Sequence, residues 1–355
     1  MRADLALIGF GHVGRRFARL LDEQRATLRD RYRLECRIVA IATRTHGQAF
    51  SLDGLDAVGA AAAIESGGSL ADLRGSSGSG ETPGDPREIP ARLGSSRADL
   101  RVVVEATTLD IRAGRPAIDH VDAALTAGCH VVTANKGPAA FAYRRLAGMA
   151  ERAGLSFLFE GAVMDGIPVF NLVRETLPAV AILGFRGVVN STTHHILTAL
   201  ESGEAFGPAL ARMQAAGIAE ADPSLDVDGW DAAAKAAALA NVLFDAGITP
   251  HDVERTGLNP ACGARARNAL AQGHRLRLVA SARRGEVPAV RLLELPEGDI
   301  LANLRGMANA IEFETDLLGR VAITQLDGSL TQTAYALLTD LVTVARRVRS
   351  GVRTP

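Results

Sequence analysis

The sequence predicts an α/β protein whose first half is a doubly wound parallel sheet and whose second half is an α+β region. Three observations carry this. Short apolar runs ending in polar turns alternate with helically spaced segments from Asp4 to Phe159, the pattern of successive βαβ units. The first run, Asp4-Leu-Ala-Leu-Ile-Gly9, ends in Gly9-Phe10-Gly11-His12-Val13-Gly14, a glycine turn that opens a helix. Beyond Glu160-Gly-Ala-Val-Met-Asp-Gly-Ile-Pro168 the strict alternation is lost, and the later strand-like segments suit an antiparallel or mixed sheet.

At 355 residues the chain is long for one small core. We expect three parts: 1–160, a nucleotide-binding domain; 161–325, a second domain; and 326–355, a C-terminal segment packing back on the first. With 47% hydrophobic and 22% charged residues and a net charge of −1, the composition is that of an ordinary globular protein. No Lys/Arg cluster supplies the basic patch that phosphate neutralisation needs, which argues against a nucleic-acid partner. No apolar run reaches the roughly 18–20 residues of a membrane span; Leu177 to Val189 is short and contains Arg186. Met1-Arg2-Ala3-Asp4 leads straight into a strand and does not read as a secretory leader. Cys36, Cys129 and Cys262 are odd in number and widely spaced, which fits reduced thiols and a cytoplasmic location.

Taken in order, Arg15 to Asp30 has helical spacing of Phe17, Leu20, Leu21 and Leu28. Strand, glycine turn and helix in this order make a Rossmann-type dinucleotide fingerprint, in which Gly9, Phe10, Gly11, His12, Val13 and Gly14 bring backbone N–H groups to a pyrophosphate. The second strand, Glu35 to Ala42, runs into Thr43-Arg44-Thr45-His46 with no acid for the ribose hydroxyls. This favours NADP over NAD, with Arg44 on the extra phosphate; the other reading of Arg44 is a solvated loop cation. Ser66 to Ser96 is rich in Gly, Ser and Pro and reads as a long mobile loop. Leu100 to Glu105 is a buried strand followed by Thr107 and Thr108, Ala117 to Ala127 a helix, and His130 to Thr133 a strand ending in Asn135 and Lys136. Thr107, Thr108, Asn135 and Lys136 therefore collect at the ligand edge of the sheet. A helix from Ala139 to Ala153 and a strand from Leu155 to Phe159 close this half.

In the second half, Phe170 to Leu177 reads as a helix and Ala181 to Val189 as a strand. Asn190-Ser-Thr-Thr-His-His195 then opens a helix reaching about Ser202. The segment from Ala216 to Lys235 concentrates Glu220, Asp222, Asp226, Asp228 and Asp231 before an Ala-rich helix from Asp231 to Phe244. Asp231 and Lys235 share a helix face, as a cap with a solvated ion pair would. The helix beyond Lys235 is almost wholly apolar, so the lysine is expected to be partly desolvated. Strands are expected at Arg275–Ala280, Ala289–Leu295, Ala310–Thr315 and Val321–Gln325, and a last helix at Thr333–Val348.

Gly9-x-Gly11-x-x-Gly14, Val104-Glu105-Ala106-Thr107, Thr133-Ala-Asn-Lys136, Glu160-x-x-Val163 with Gly166-x-Pro168, Gly217-x-x-Glu220-x-Asp222-Pro223 and Asp226-x-x-Gly229-x-Asp231-x-x-x-Lys235 stand in the order found in homoserine dehydrogenases. The chain resembles that family over nearly its whole length. The resemblance implies a catalytic domain that also dimerises, and interconversion of L-homoserine and L-aspartate 4-semialdehyde with NADP or NAD, a step of threonine, methionine and isoleucine biosynthesis. It implies Lys235 and Lys136 as catalytic lysines, Glu220 and Asp231 as substrate-holding carboxylates with Asp226 beside them, and a monovalent cation such as sodium at Glu160, Val163, Asp165 and Ile167. Backbone and hydroxyl groups of Asn190, Thr192 and Thr193 are candidates for the substrate carboxylate. The chain ends near Pro355 without the regulatory module of many members, so feedback inhibition through one is not expected.

Three departures leave the substrate open. Asn190-Ser191-Thr192-Thr193-His194-His195 replaces the family's Asn-Gly-Thr-Thr-Asn-Tyr, Met164 and Asp165 stand where a glycine or alanine pair is usual, and Leu326 to Gln332 replaces a Gly-rich segment. A dehydrogenase of another small hydroxy or amino acid, or a non-catalytic nucleotide-binding relative, are the alternatives. The adjacent His194 and His195 face different sides of a helix, a poor metal geometry.

Overall fold

In β1 (Arg2–Ile8) every residue from Ala3 onward is buried, as befits the middle strand of a parallel sheet covered on both faces. The computed structural model to which it belongs describes residues 1–70, 85–215 and 222–351. The chain divides into two units: Met1–Pro138 with Ala142–Phe170 and the chain from Ser329 onward, and Ala139–Phe141 with Asn171–Gly328.

In the first unit β1 is followed by α1 (His12–Glu23), α2 (Arg25–Tyr32), β2 (Glu35–Ala42), β3 (Gln48–Phe50), α3 (Ala57–Glu65), α4 (Ile89–Leu93), β4 (Leu100–Glu105), α5 (Ala117–Thr126), β5 (His130–Thr133), α6 (Lys136–Ala153) and β6 (Phe157–Leu158). The sheet order is β3-β2-β1-β4-β5-β6. All neighbours are parallel except β3, which returns antiparallel to β2. The order reverses at β1, so the crevice beyond its C-terminal end is the topological switch point where such sheets bind ligands. The glycine turn lies there.

Local chemistry accounts for the differences from expectation. The single helix expected over Arg15–Asp30 is two, broken at Gln24, which leaves helical geometry at φ −97°, ψ 7°. Leu20, Leu21 and Leu28 all remain in the core, so the apolar period gives no sign of the break. Of the expected loop Ser66–Ser96, residues 71–84 lie outside the described residues, but the part from Asp85 is ordered. The Asp85 side chain accepts from Arg87 N, Pro86 leads into a 3-10 turn, and Ile89 and Leu93, an i,i+4 pair, are fully buried. The helix expected from Ala139 starts at Lys136, because Asn135 caps it by accepting from Gly137 N at 2.8 Å.

The second unit runs through β7 (Ile182–Val188), α7 (Ser191–Glu201), α8 (Phe206–Ala215), α9 (Ser224–Val227), α10 (Trp230–Phe244), β8 (Glu254–Arg255), α11 (Cys262–Ala271), β9 (His274–Arg283), β10 (Ala289–Pro296), β11 (Asn309–Thr315) and β12 (Arg320–Gln325). Its sheet order is β12-β11-β7-β9-β10-β8, antiparallel except for the short β8–β10 pair. The Phe170–Leu177 segment is a π-helical turn, Leu172–Thr176. α8 and α11 have no counterpart among the expected elements. Small side chains let α10 pack closely: Ala232–Ala234 and Ala236–Ala238 are buried. Beneath α7, Arg277 is fully enclosed and its charge is met by Glu201 at 2.6 Å and the Ala302 carbonyl at 2.7 Å.

The last helix, α12 (Leu330–Ser350), belongs to the first unit. Ala334, Leu337, Leu341 and Val344 are fully buried in one core with Phe17, Leu20 and Leu21 of α1. Among the described residues, no helix is long and apolar enough to cross a membrane.

Candidate functional site

The glycine turn is a cradle in the geometric sense. Gly9 has φ +95°, and a Cβ there would lie 2.4 Å from the Ala106 carbonyl carbon and 2.6 Å from Thr107 N. A Cβ on Gly14 would lie 2.5 Å from the Gly9 oxygen, whereas one on Gly11 would meet nothing within 4 Å. The first glycine thus permits the turn, the third permits close helix packing, and the second leaves open the space that a pyrophosphate needs over the N-terminus of α1. His12 is exposed at that terminus, Val13 is half-buried, and the Phe10 side chain is buried, so Phe10 can offer only its backbone. The residues present therefore fit a dinucleotide.

Arg44 is exposed in the turn between β2 and β3. That turn is closed by Thr43, whose hydroxyl donates to Gly47 O at 3.0 Å and accepts from His46 N at 2.7 Å. At the ends of β4 and β5 a buried network orders the other candidates. The Asn135 amide donates to Thr107 O at 2.9 Å, and its backbone N–H donates to the Thr133 hydroxyl at 2.9 Å. Thr133 in turn donates to the Glu105 carboxylate at 2.9 Å, which also receives the Thr107 N–H at 3.1 Å and the Thr107 hydroxyl. Glu105 is fully buried and was given no role from sequence; a carboxylate at the end of a buried strand, two residues before Thr107, is the signal that marks it. Lys136 begins α6 directly after this network, and Thr108 follows Thr107 as an exposed neighbour.

Also in the first unit, the turn at Glu160 is rich in oxygen. The buried Glu160 carboxylate accepts from Val169 N at 2.5 Å and Phe170 N at 2.9 Å, and the Glu160 N–H donates to Asp340 at 2.8 Å. Val163 is buried, Asp165 sits at φ +48° and accepts from the Thr333 hydroxyl at 3.0 Å, and the Ile167 carbonyl accepts from Val169 N at 2.9 Å. Among the described residues there is no group of three or more His, Cys, Asp or Glu side chains able to hold a metal. The Glu160 and Asp165 carboxylates and the Ile167 carbonyl are hard oxygen donors, the kind an alkali cation takes.

The second unit gathers the lysine and the carboxylates. Gly229, at φ +78°, turns the chain into α10, placing Asp231 in its first turn and Lys235 one turn on. Lys235 Nζ lies 3.0 Å from Asp231 Oδ2 and donates to the Val189 carbonyl, and both side chains are about 15% exposed (14% and 16%). This is a half-buried pair, not the solvated one a surface helix would carry. From the N-cap of α7, the Asn190 amide donates to Asp226 Oδ1 at 2.7 Å and Asp231 Oδ2 at 2.9 Å, while Thr192 bonds Asp226. Of the candidate hydroxyls for the substrate carboxylate, that of Thr192 is turned on Asp226 and that of Thr193 donates to Asn190. Burial, reinforced by Asp231, pushes the Asp226 carboxyl above the ordinary carboxylate range, against the donors of Asn190 and Thr192 and the charge of Lys235. Glu220 lies outside the described residues. His194 is buried, and burial, with Arg277 and His195 adding repulsion, pushes its imidazole down to about 3, so it is neutral. His195 stands 3.1 Å from the Gly306 carbonyl, and Ser191 accepts from Asn309 at 2.8 Å, so these departures from the family pattern tie α7 to the start of β11 and the segment before it.

A dinucleotide cradle in one unit and a lysine among carboxylates in the other define a nicotinamide-dependent oxidoreductase. The family model for the homoserine dehydrogenase NAD-binding domain matches residues 9–160, and that for homoserine dehydrogenase matches 168–342. The NAD(+)-dependent homoserine dehydrogenase of Pseudomonas canavaninivorans is 35% identical over 342 residues, 95% of each chain. The homoserine dehydrogenase of Methanocaldococcus jannaschii is 33% identical over 96% of this chain and 97% of its own. Among solved structures, a hyperthermophilic archaeal homoserine dehydrogenase in complex with NADPH superposes with a TM-score of 0.81 at 28% identity, covering 98% of both chains. The homoserine dehydrogenase of Thiobacillus denitrificans superposes at 0.80 with 28% identity, covering 99% of this chain and 74% of its own. The chain belongs to the homoserine dehydrogenase family.

Proposed function

We propose that the chain interconverts L-homoserine and L-aspartate 4-semialdehyde with NADP, in the biosynthesis of the aspartate-derived amino acids, with Lys235 as the group that takes and returns the hydroxyl proton. The observation that carries these roles is Lys235 held between Asp231 and the Val189 carbonyl at the head of an apolar helix. Oxidising a primary alcohol removes a proton from oxygen as hydride leaves the same carbon, so a proton acceptor must sit within hydrogen-bond reach. When bound, the nicotinamide supplies the hydride acceptor. Asp226, Asp231 and Glu220 hold the substrate ammonium, and Lys136, at the start of α6, is the second lysine.

Gly9, Gly11 and Gly14, with the backbone of Phe10, His12 and Val13, hold the pyrophosphate, while Thr107, Thr108 and Asn135 line the same sheet edge. Arg44 holds the 2′-phosphate; the absence of an acid from Thr43 to Gln48 supports NADP, although one relative is NAD(+)-dependent by name. The carbonyls of Val163 and Ile167, with Glu160 and Asp165, take a monovalent cation such as sodium. Free Cys36, Cys129 and Cys262 support a cytoplasmic location. The exposed Leu317 and Leu318 between β11 and the edge strand β12 support a homodimer, which light scattering tests.

The decisive experiment follows NADPH absorbance with homoserine and each cofactor. Lys235→Met should lower kcat roughly 10²- to 10⁴-fold with NADPH affinity retained. No homoserine turnover by the intact chain, despite tight NADPH binding, would favour the related hydroxy-acid dehydrogenase.

A further inference from the structure

We propose that Asn190 is a positioning residue: its amide binds Asp226 and Asp231 into one ammonium-holding pair and does not itself grip the substrate carboxylate. The inference rests on the reading above, in which this unit holds a hydroxy amino acid. An Asn side chain has two N–H donors and one acceptor oxygen. Here one nitrogen serves both carboxylates, at 2.7 and 2.9 Å, and the oxygen accepts from Thr193 N and the Thr193 hydroxyl, each at 2.9 Å. The residue is 7% exposed, so neither donor is turned to water.

The arrangement does two things. Asp226 stands on α9 and Asp231 on α10, and the charge of Asp231 disfavours that of Asp226; an amide bonded to both holds the two carboxylates side by side. The residue before it, Val189, receives Lys235 through its carbonyl, so one turn of chain between β7 and α7 sets carboxylates and lysine together. Among the described residues the groups facing Asp226 are Asn190 and Thr192 from α7 and Asp231 and Lys235 from α10. The Asn190 hydrogen bond favours the ionised Asp226, so losing that donor makes Asp226 easier to protonate.

Asn190→Ser keeps an N-cap oxygen for α7 but lacks the two donors, and Asn190→Asp keeps shape and cap while replacing donors with an acceptor. Both are assayed with NADP and homoserine against two fragments as competitive inhibitors. One is 3-aminopropan-1-ol, which has the ammonium without the carboxylate; the other is 4-hydroxybutanoate, which has the carboxylate without the ammonium. The expected result is a roughly 10- to 100-fold rise in the inhibition constant of 3-aminopropan-1-ol in both variants. The constant for 4-hydroxybutanoate and the affinity for NADPH stay unchanged, and the acid limb of kcat/KM moves to higher pH in Asn190→Ser. A rise for 4-hydroxybutanoate alone, equal rises for both fragments, or no change in either overturns the proposal. Failure of the unsubstituted chain to oxidise homoserine at all would instead overturn the functional reading on which it rests.

Discussion

Adding one methyl group at two positions of the same turn should have opposite consequences. At Gly9 an alanine Cβ would sit 2.4 Å from a backbone carbon where ordinary contact begins near 3.4 Å, so the chain at Ala106–Thr107 must give way by about 1 Å. The backbone at φ +95° adds strain. Left-handed strain of about 1–2 kcal/mol and overpacking against backbone of about 1–3 kcal/mol together give about 2–5 kcal/mol. That is a large part of a typical total of about 5–15 kcal/mol. Gly11, at φ −71° with open space where its Cβ would go, pays neither cost. There the weaker N-cap of alanine and the reduced freedom of the unfolded chain offset each other to within about 1 kcal/mol. Gly9→Ala should therefore lower the denaturant midpoint markedly, while Gly11→Ala should unfold like the parent yet bind NADPH at least tenfold more weakly in a fluorescence titration. If Gly11→Ala bound NADPH with parental affinity, the dinucleotide could not lie over this turn, and the cradle argument would fail.

Arg44→Ala should raise the KM for NADP roughly tenfold or more while leaving that for NAD unchanged, since charged hydrogen bonds contribute about 1.5–3 kcal/mol; equal effects on both cofactors would make Arg44 a plain loop cation. Asp226 has a raised pKa in the folded state, so folding binds a proton there and stability falls as pH rises from the ordinary carboxylate range through the raised value. Asp226→Asn should then be more resistant to urea than the parent at neutral pH, with the gain vanishing in acid, and should lose homoserine binding. Glu201→Ala strands the enclosed Arg277 charge, and the second unit should lose about 3–5 kcal/mol of stability by chemical denaturation.

Much of the first unit was legible because each strand is an apolar run buried on both faces and punctuated by a polar turn. β2, β4 and β5 lie where that pattern places them, to the residue. What escaped was decided by packing. Ile89 and Leu93 sit in a segment whose composition reads as loop, and only a neighbouring core makes a five-residue helix worth ordering. α11 carries Arg265 and Arg267 among alanines, so its apolar face is too narrow for periodicity to reveal. At the site, residue types and order marked Lys235, Asp231, Asp226 and the glycines, but the contacts that Val189 and Asn190 make with them could not be inferred, because these two residues stand 36 to 46 positions away along the chain.

By itself the sequence determined the central strands of the first half, the dinucleotide turn, the family resemblance and the identity of the charged groups, because these depend on periodicity and on the chemistry of neighbouring residues. Only the tertiary structure decided what each charged group faces. The Asn190 amide joins two carboxylates, Glu105 is the buried anchor of Thr107 and Thr133, and Lys235, expected from sequence to be partly desolvated, meets Asp231 and the Val189 carbonyl. The reason is physical: hydrogen bonds and desolvation act through space over about 3 Å, and which residues come that close is settled by packing rather than by sequence neighbours.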